Sequence, residues 1–347
     1  MYTINGKFLH RHMNGQIRVA IEMIKELDKI VPENFIEIVA PESNYTLDGL
    51  QRISIKRIGK GNGHIWEQTV FYWYLLKTGN TGINFLNSHP LLRPDISYIH
   101  DTYFCSNPDL SKSIYGRLQK LYTTEMLKTA AKKASAIITV SNFSKSEILK
   151  YFDVDPKKIH VIYNGWQHME SVSEDMCIFE KHKDIEKDNY ILAASGITPQ
   201  KNFQWIKNNA AYNTNVQYVI IGKTEKSTED IVESSKNLIY VGSVSDGEMK
   251  ALMHHCKAFI HPAIYEGFGL TPLEAVASGC KKIIISNAAS LPEIYGNSAI
   301  YIDPYESHVT MPGLIETQGM DTVENLLKNY SWVKSAKQLY EILYNPN

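Results

Sequence analysis

The sequence predicts an α/β protein built from two doubly wound domains, each a parallel sheet covered by helices. Three observations carry that reading. Short, apolar, β-rich runs recur at regular intervals along the chain. The stretches between them are amphipathic and long enough for a helix, which is the rhythm of strand and helix alternating around a parallel sheet. And 347 residues suit two domains of ordinary size, whereas a single domain of that length would be unusually large.

In the first half the strand candidates are residues 35–41 (FIEIVAP), 52–58 (RISIKRI), 82–88 (GINFLNS), 96–101 (ISYIHD), 136–141 (AIITVS) and 159–165 (IHVIYNG). The second half repeats the pattern more cleanly, at 189–195 (NYILAAS), 217–222 (QYVIIG), 238–242 (LIYVG), 257–262 (KAFIHP), 281–286 (KKIIIS) and 299–303 (AIYID). Two Rossmann-like domains are therefore expected at 1–165 and 189–330. Between them, 166–188 is polar and charged without a sustained apolar period, as a linker would be. The last segment, 331–347, carries apolar residues at helical spacing and is expected as a terminal helix that crosses back to the first domain. Open parallel sheets bind ligands at the carboxyl ends of their strands, and two such sheets facing one another leave a cleft. The informative residues should follow strands.

Composition removes several function classes. The formal net charge is −1 and the lysines are spread along the whole length, so no basic footprint for nucleic acid is present and no nucleic-acid partner is expected. The four cysteines, Cys105, Cys177, Cys256 and Cys280, lie far apart with no CxxC spacing. Neither a zinc site nor a disulfide framework is suggested, and a reducing cytoplasm fits. The start, MYTINGKFLH, lacks a basic n-region followed by an apolar core, and no apolar run approaches the roughly 18 residues that span a bilayer. A soluble protein is expected, in contact with a membrane surface at most.

Residues 263–279, AIYEGFGLTPLEAVASG, concentrate the chemistry. After the strand at 257–262 the chain turns through 263–269, and a helix is expected to start with Thr271 as N-cap, Pro272 at the first position and Glu274 at the third. That pattern is a capping box, so Glu274 has a structural reading as well as a functional one. Glu266 stands before the helix beside Gly267 and Gly269, whose small size lets a ligand reach main-chain N–H groups near a helix N-terminus. Such a turn suits a phosphate or a sugar hydroxyl.

This stretch resembles glycosyltransferase family 4, the retaining enzymes of GT-B architecture, in which two Rossmann-like domains face one another across a cleft. The family signature is two glutamates with seven residues between them, a following segment like SLPE, and a strand ending in DP. Here the order is Glu266-Gly267-Phe268-Gly269-Leu270, Glu274-Ala275, Gly279, Ser290-Leu291-Pro292-Glu293 and Asp303-Pro304. Upstream, INGKFLHRHMNGQIRVAIEMIKEL resembles the family's first strand, glycine loop and helix, with Gly15 in the loop and Arg18 at the helix start, and YIHDTYFCSNP resembles a family His-Asp motif at His100 and Asp101.

The resemblance implies roles position by position. Glu266 would hold the transferred sugar and stabilise charge at the reacting end, and Glu274 would accept hydrogen bonds from ribose hydroxyls. Main-chain amides of Gly267, Phe268, Gly269 and Leu270, with Tyr265 alongside, would contact sugar and phosphates. Val244 would meet the base through its main chain, Gly15 would border the substrate, and His100 and Asp101 would meet the donor sugar from the first domain. A lone strand-end histidine is by itself more simply structural, and only the motif argues otherwise for His100. Where the family usually carries Arg-Lys-Asn, this chain has Gln200-Lys201-Asn202; Lys201 keeps a cation for the leaving diphosphate, while Gln200 donates hydrogen bonds without adding charge. The implied partners are a nucleotide-sugar donor and a glycan or lipid-linked glycan acceptor, with no metal and no other cofactor required.

Other patterns point elsewhere less well. Gly222-Lys223-Thr224 follows a strand but lacks the first glycine of a P-loop, since Gln217 occupies that position. Asp153-Val154-Asp155 reads as a solvated turn before a strand, and Gly59, Gly61 and Gly63 as a flexible loop. Residues 112–133 carry six basic residues and one acidic, with Ile114, Leu118, Leu121 and Tyr122 at helical spacing, which fits either a solvated basic face or contact with an anionic leaflet. On the same scaffold, a sugar-nucleotide epimerase and a non-catalytic binding or assembly partner stand as alternative functions.

Overall fold

The computed structural model describes residues 1–10, 13–43, 45–61, 63–106, 114–194, 198–222, 236–317 and 323–345. The chain forms two compact units, Met1–Asn164 with Trp332–Asn347, and Gly165–Ser331. Each is an α/β unit on a wholly parallel sheet.

The first unit holds seven strands: β1 Tyr2–Asn5, β2 Ile36–Ala40, β3 Ser54–Arg57, β4 Thr81–Asn84, β5 Ile96–Tyr98, β6 Ala136–Thr139 and β7 Ile159–Val161. Their order across the sheet is β3-β2-β1-β4-β5-β6-β7. The direction of winding reverses between β1 and β4, the switch point at which such sheets open a crevice. Continuous apolar runs form the central strands because both faces are covered, and every residue of β2 and β6 is buried. The first helix, Gly15–Ile30, starts three residues earlier than Arg18, because Asn14 caps it: its Oδ1 accepts from Ile17 N at 3.0 Å. Ile17, Ala20, Ile24 and Leu27 form its buried stripe. The terminal helix Trp332–Tyr344 is part of this unit and packs on that first helix, burying Ala336, Leu339 and Leu343. Tyr2 Oη donates to Leu343 O at 2.6 Å and Ser335 Oγ to Tyr163 O at 2.5 Å.

The second unit holds six strands: β8 Tyr190–Ala194, β9 Gln217–Ile221, β10 Leu238–Gly242, β11 Ala258–His261, β12 Ile283–Ser286 and β13 Ile300–Ile302. The order β10-β9-β8-β11-β12-β13 repeats the same winding, with its switch point between β8 and β11. Ile191, Tyr218, Ile220, Ile260 and Ile284 from the sheet pack with Trp205 and Ile206 of the helix Phe203–Tyr212 into one core.

The segment 166–188 is not a linker. It belongs to the second unit, where His168, Met169, Ile178 and Ile185 are buried and Lys250 Nζ donates to the carbonyls of Met169 and Val172 at 2.8 and 2.7 Å. Isolated apolar anchors and side-chain bonds to the main chain hold it down, and neither leaves a periodic trace in sequence.

Candidate functional site

At the β8–β11 switch point, three loops are tied together by one side chain. Asn202 sits in the left-handed region (φ 56°), where asparagine is tolerated better than most residues. Its Nδ2 donates to Pro262 O at 3.0 Å and to Pro304 O at 2.7 Å, which joins the turn after β8 to the loops after β11 and β13. Ile264 N donates to Gln200 O at 2.9 Å, adding a main-chain tie to the same turn. The asparagine of the Gln-Lys-Asn run and the proline of Asp303-Pro304 are thus joints of the scaffold.

That joint delivers Lys201 to Glu266. Lys201 ends a short 3₁₀ turn, Pro199–Lys201, and its Nζ lies 2.5 Å from Glu266 Oε1. His261, the last residue of β11, donates from Nε2 to the same oxygen at 2.8 Å. Burial works to raise the Glu266 pKa, but the Lys201 charge and the His261 hydrogen bond outweigh it and hold the carboxyl down to about 2. Burial lowers the pKa of His261 in spite of the neighbouring carboxylate. His261 is therefore a neutral donor, and Lys201 is the cation of the trio.

The turn from Gly267 to Leu270 is shaped from behind by the SLPE segment. Gly269 has φ 82°, and a Cβ there would lie 2.5 Å from Leu291 Cδ2, so both backbone angle and space require glycine. Ser290 Oγ donates to Glu266 O at 2.9 Å, and Tyr295 Oη donates to Gly269 O. Phe268 packs edge-on against Tyr330 at 5.4 Å, and Tyr265 is buried. Phe268 therefore offers a ligand its main chain rather than its ring.

The expected capping box is absent. The helix runs Leu270–Ala277 with Gly269 as N-cap and no side-chain cap bond, so Glu274 is at its fifth position, past the reach of a cap. The leading amides of this helix accordingly have no capping side chain and point toward the turn beside Glu266. Glu274 is buried and accepts from His168 Nε2 at 3.0 Å. Neither histidine was among the expected site residues. His261 ends the strand five residues before Glu266, a position sequence reading could have flagged; His168 stands in the polar stretch 166–188 with no local signal. Val244 follows β10, half-buried, directly before Ser245, which caps the helix Asp246–His254 in a true capping box with Glu248.

The other expected residues lie in the first unit. His100 follows β5, buried, with Nε2 2.7 Å from Phe85 O and its own N–H donating to Asn87 Oδ1 at 2.9 Å. Burial pushes its pKa down to about 4, so the ring is neutral at pH 7. The carbonyl partner fixes the proton on Nε2 and leaves Nδ1 as an acceptor, suited to a hydroxyl. Asp101 Oδ1 accepts from Tyr103 N at 3.1 Å. Gly15 is the exposed first residue of its helix, with open space where a Cβ would stand. Asp155 caps the turn Pro156–Lys158, as a solvated loop should. Gly59, Gly61 and Gly63 all have positive φ. Lys223 and Thr224 lie outside the described residues.

The sequence and the fold are similar to those of known proteins. Residues 177–311 match the family model described as Glycosyl transferases group 1, and residues 79–167 match the model described as Glycosyltransferase Family 4. The O-antigen chain mannosyltransferase RfbU of Salmonella typhimurium is 33% identical over 246 residues, 67% of this chain and 65% of that protein. The match thus spans just under two thirds of the Salmonella protein's length. O-antigen chain mannosyltransferase B of Escherichia coli is 26% identical over 281 residues, 74% of this chain and 71% of its own. Among solved structures, Anabaena Alr3699/HepE in complex with UDP-glucose superposes with a TM-score of 0.72 at 16% identity, over 99% of this chain and 98% of that one. WaaG, a glycosyltransferase involved in lipopolysaccharide biosynthesis, gives 0.64 at 11% identity over 98% and 95%. At such identities these structures speak to the fold.

Proposed function

The chain belongs to the family of group 1 glycosyl transferases, glycosyltransferase family 4, and we propose that it moves a hexose or deoxyhexose from a nucleoside-diphosphate sugar to a glycan hydroxyl. The observation that carries this reading is the Lys201–Glu266 pair beside the uncapped N-terminus of Leu270–Ala277. Lys201 and the leading amides supply positive charge for a diphosphate, while Glu266, ionised and fixed by two donors, meets sugar hydroxyls and the positive charge that develops at the reacting carbon. Glu274 takes the ribose hydroxyls and Val244 the base edge, with Gln200 adding a neutral donor. In the first unit, His100, neutral with Nδ1 as acceptor, can take a sugar hydroxyl, and Asp101 and Gly15 are proposed as further substrate contacts of that unit.

The reaction proposed retains anomeric configuration. The acceptor oxygen attacks on the face from which the diphosphate leaves, the bond from the sugar carbon to the phosphate oxygen breaks, and that oxygen takes the acceptor proton. Lys201 and the helix amides balance the leaving charge, so no metal ion is assigned to this step. The relatives named as O-antigen chain mannosyltransferases make a surface polysaccharide the first acceptor class to test and mannose the first sugar.

We further propose that the acceptor is lipid-linked and met at the inner, anionic face of a membrane. No described helix is long and apolar enough to cross a bilayer. On the helix Ile114–Lys133, the buried stripe is Met126, Leu127 and Ala130, while Leu118 and Leu121 are 60% and 67% exposed beside Arg117, with Lys128, Lys132 and Lys133 exposed further along. Exposed leucines among basic residues suit a headgroup layer, where each cation is worth about 1 kcal/mol.

A thermal-shift panel of GDP- and UDP-linked sugars tests the central claim. A donor at about 100 times its Kd should add roughly 2.7 kcal/mol of stability. Conversion of donor without acceptor would favour an epimerase, and a uniformly silent panel a non-catalytic binding partner.

A further inference from the structure

In the second unit, among residues outside the Lys201–Glu266 pair, the fold brings Glu174, His254 and His255 to one point, with their ligand atoms all within 4.8 Å of one another. His254 ends the helix Asp246–His254 and His255 is its C-cap, where the backbone leaves helical geometry (φ −95°, ψ 14°). Neighbouring side chains on a helix normally diverge. Here the two rings lie nearly parallel, 18° apart with centroids at 4.8 Å, and both turn an edge to Glu174. His254 Nδ1 is 2.6 Å from Glu174 Oε1, and His255 Nε2 is 3.8 Å from Glu174 Oε2.

The partners of His255 are those of a supported metal ligand. Asp188 Oδ1 lies 2.8 Å from His255 Nδ1. A carboxylate only accepts, so Nδ1 carries an N–H, and Nε2 is the ring nitrogen turned to the second oxygen of Glu174. A carboxylate behind a histidine that turns its other nitrogen to a shared anionic centre is the usual support of a metal-bound imidazole.

We propose that His254 Nδ1, His255 Nε2 and the Glu174 carboxylate bind a divalent transition-metal ion of the zinc class, with water completing the coordination and Asp188 orienting His255. Two imidazoles and one carboxylate favour zinc, copper, nickel or cobalt over magnesium or calcium, which take oxygen ligands. With metal–ligand distances of about 2.0 Å, neighbouring ligand atoms of a tetrahedral site stand roughly 3.3 Å apart; the observed 2.6 and 3.8 Å bracket that spacing. Binding at His254 Nδ1 displaces its N–H from Glu174, and the neutral ring then carries its one proton on Nε2 as the other tautomer.

The ion would act as a staple. Glu174 closely follows His168, the partner of Glu274, and the chain from His168 to Asp175 is already held to the helix Asp246–His254 by Lys250 and by Asp175 N donating to Gly247 O at 3.1 Å. The metal adds a bond at the far end of that strap.

The test is a titration of the full chain, stripped with chelator, with cobalt(II) and zinc(II). One saturable site is expected, with cobalt bands in the visible and no thiolate charge-transfer band, together with a rise in Tm on adding zinc that magnesium does not reproduce. Glu174→Gln and His255→Asn should each weaken zinc binding at least tenfold, and Asp188→Asn by about 10- to 100-fold through the orienting bond. Metal-free Tm values of the variants, matched to that of the stripped wild type, show that they fold. Unchanged affinity in Glu174→Gln and His255→Asn, a thiolate band that places the metal on cysteine, or no saturable binding would each overturn the proposal.

Discussion

Lys201 and Glu266, 65 residues apart in sequence, form a charge pair at 2.5 Å across the switch point of the second sheet. Neither is deeply exposed, at 23% and 14%, so the pair is shielded from much of the screening that makes surface ion pairs weak. Removing one partner leaves the other as a poorly solvated charge.

From that pairing, Glu266→Gln should keep the fold and cut transfer by about 100-fold or more, the scale of losing one group aimed at developing charge. Lys201→Ala should raise donor KM, and it should also release Glu266 toward the ordinary carboxylate range. The acidic limb of the pH profile of kcat/KM would then move to higher pH. Wild-type kinetics in Lys201→Ala would remove that lysine from donor binding.

His100 supplies a stability signature in the first unit. Its folded pKa of about 4 lies below the ordinary 6.5, so the unfolded chain binds the extra proton between those values. The contribution is complete above pH 6.5 and is lost as pH falls toward 4. Urea unfolding at pH 7 and pH 5 should show the wild type losing about 2 kcal/mol more than His100→Asn over that interval. Equal losses in the two proteins would show that His100 is not held neutral.

His168 and Glu274 make a buried hydrogen bond, and its loss leaves a carboxylate without that donor. His168→Ala should cost about 1–3 kcal/mol in chemical denaturation. It should also weaken binding of the nucleotide diphosphate alone, whereas His168→Gln, which can still donate, should recover much of both. Nucleotide affinity unchanged in His168→Ala would confine the histidine to a structural role.

The exposed face of Ile114–Lys133 makes a prediction about place rather than chemistry. Reversing the charge at Arg117, Lys128 and Lys132 should abolish co-sedimentation with anionic vesicles and leave activity on a soluble acceptor intact. The wild-type binding should fall steeply with salt, because it relies on screened charges. Vesicle binding that survives the charge reversal would sink the membrane proposal.

Much of the fold and part of the site were legible in the linear chain, for a reason visible in particular residues. β-Branched runs such as 136–141 and 281–286 became strands because burial on both faces is encoded locally, residue by residue. The glycine at 269 was legible because a left-handed turn against Leu291 admits no side chain. The capping box at 271–274 misled, since a cap is decided by where the helix starts, and Gly269 started it early.

The sequence by itself determined the strand rhythm, the Glu266–Glu274 spacing and the cation at Lys201, all of which follow from local pattern and from neighbours in the chain. Only the tertiary structure decided which charges meet. It set Lys201 and His261 on one oxygen of Glu266, His168 on Glu274, and Glu174 against His254 and His255. Those pairings join residues up to 106 apart, and strand order and loop closure, rather than any local preference, bring such residues within bonding distance.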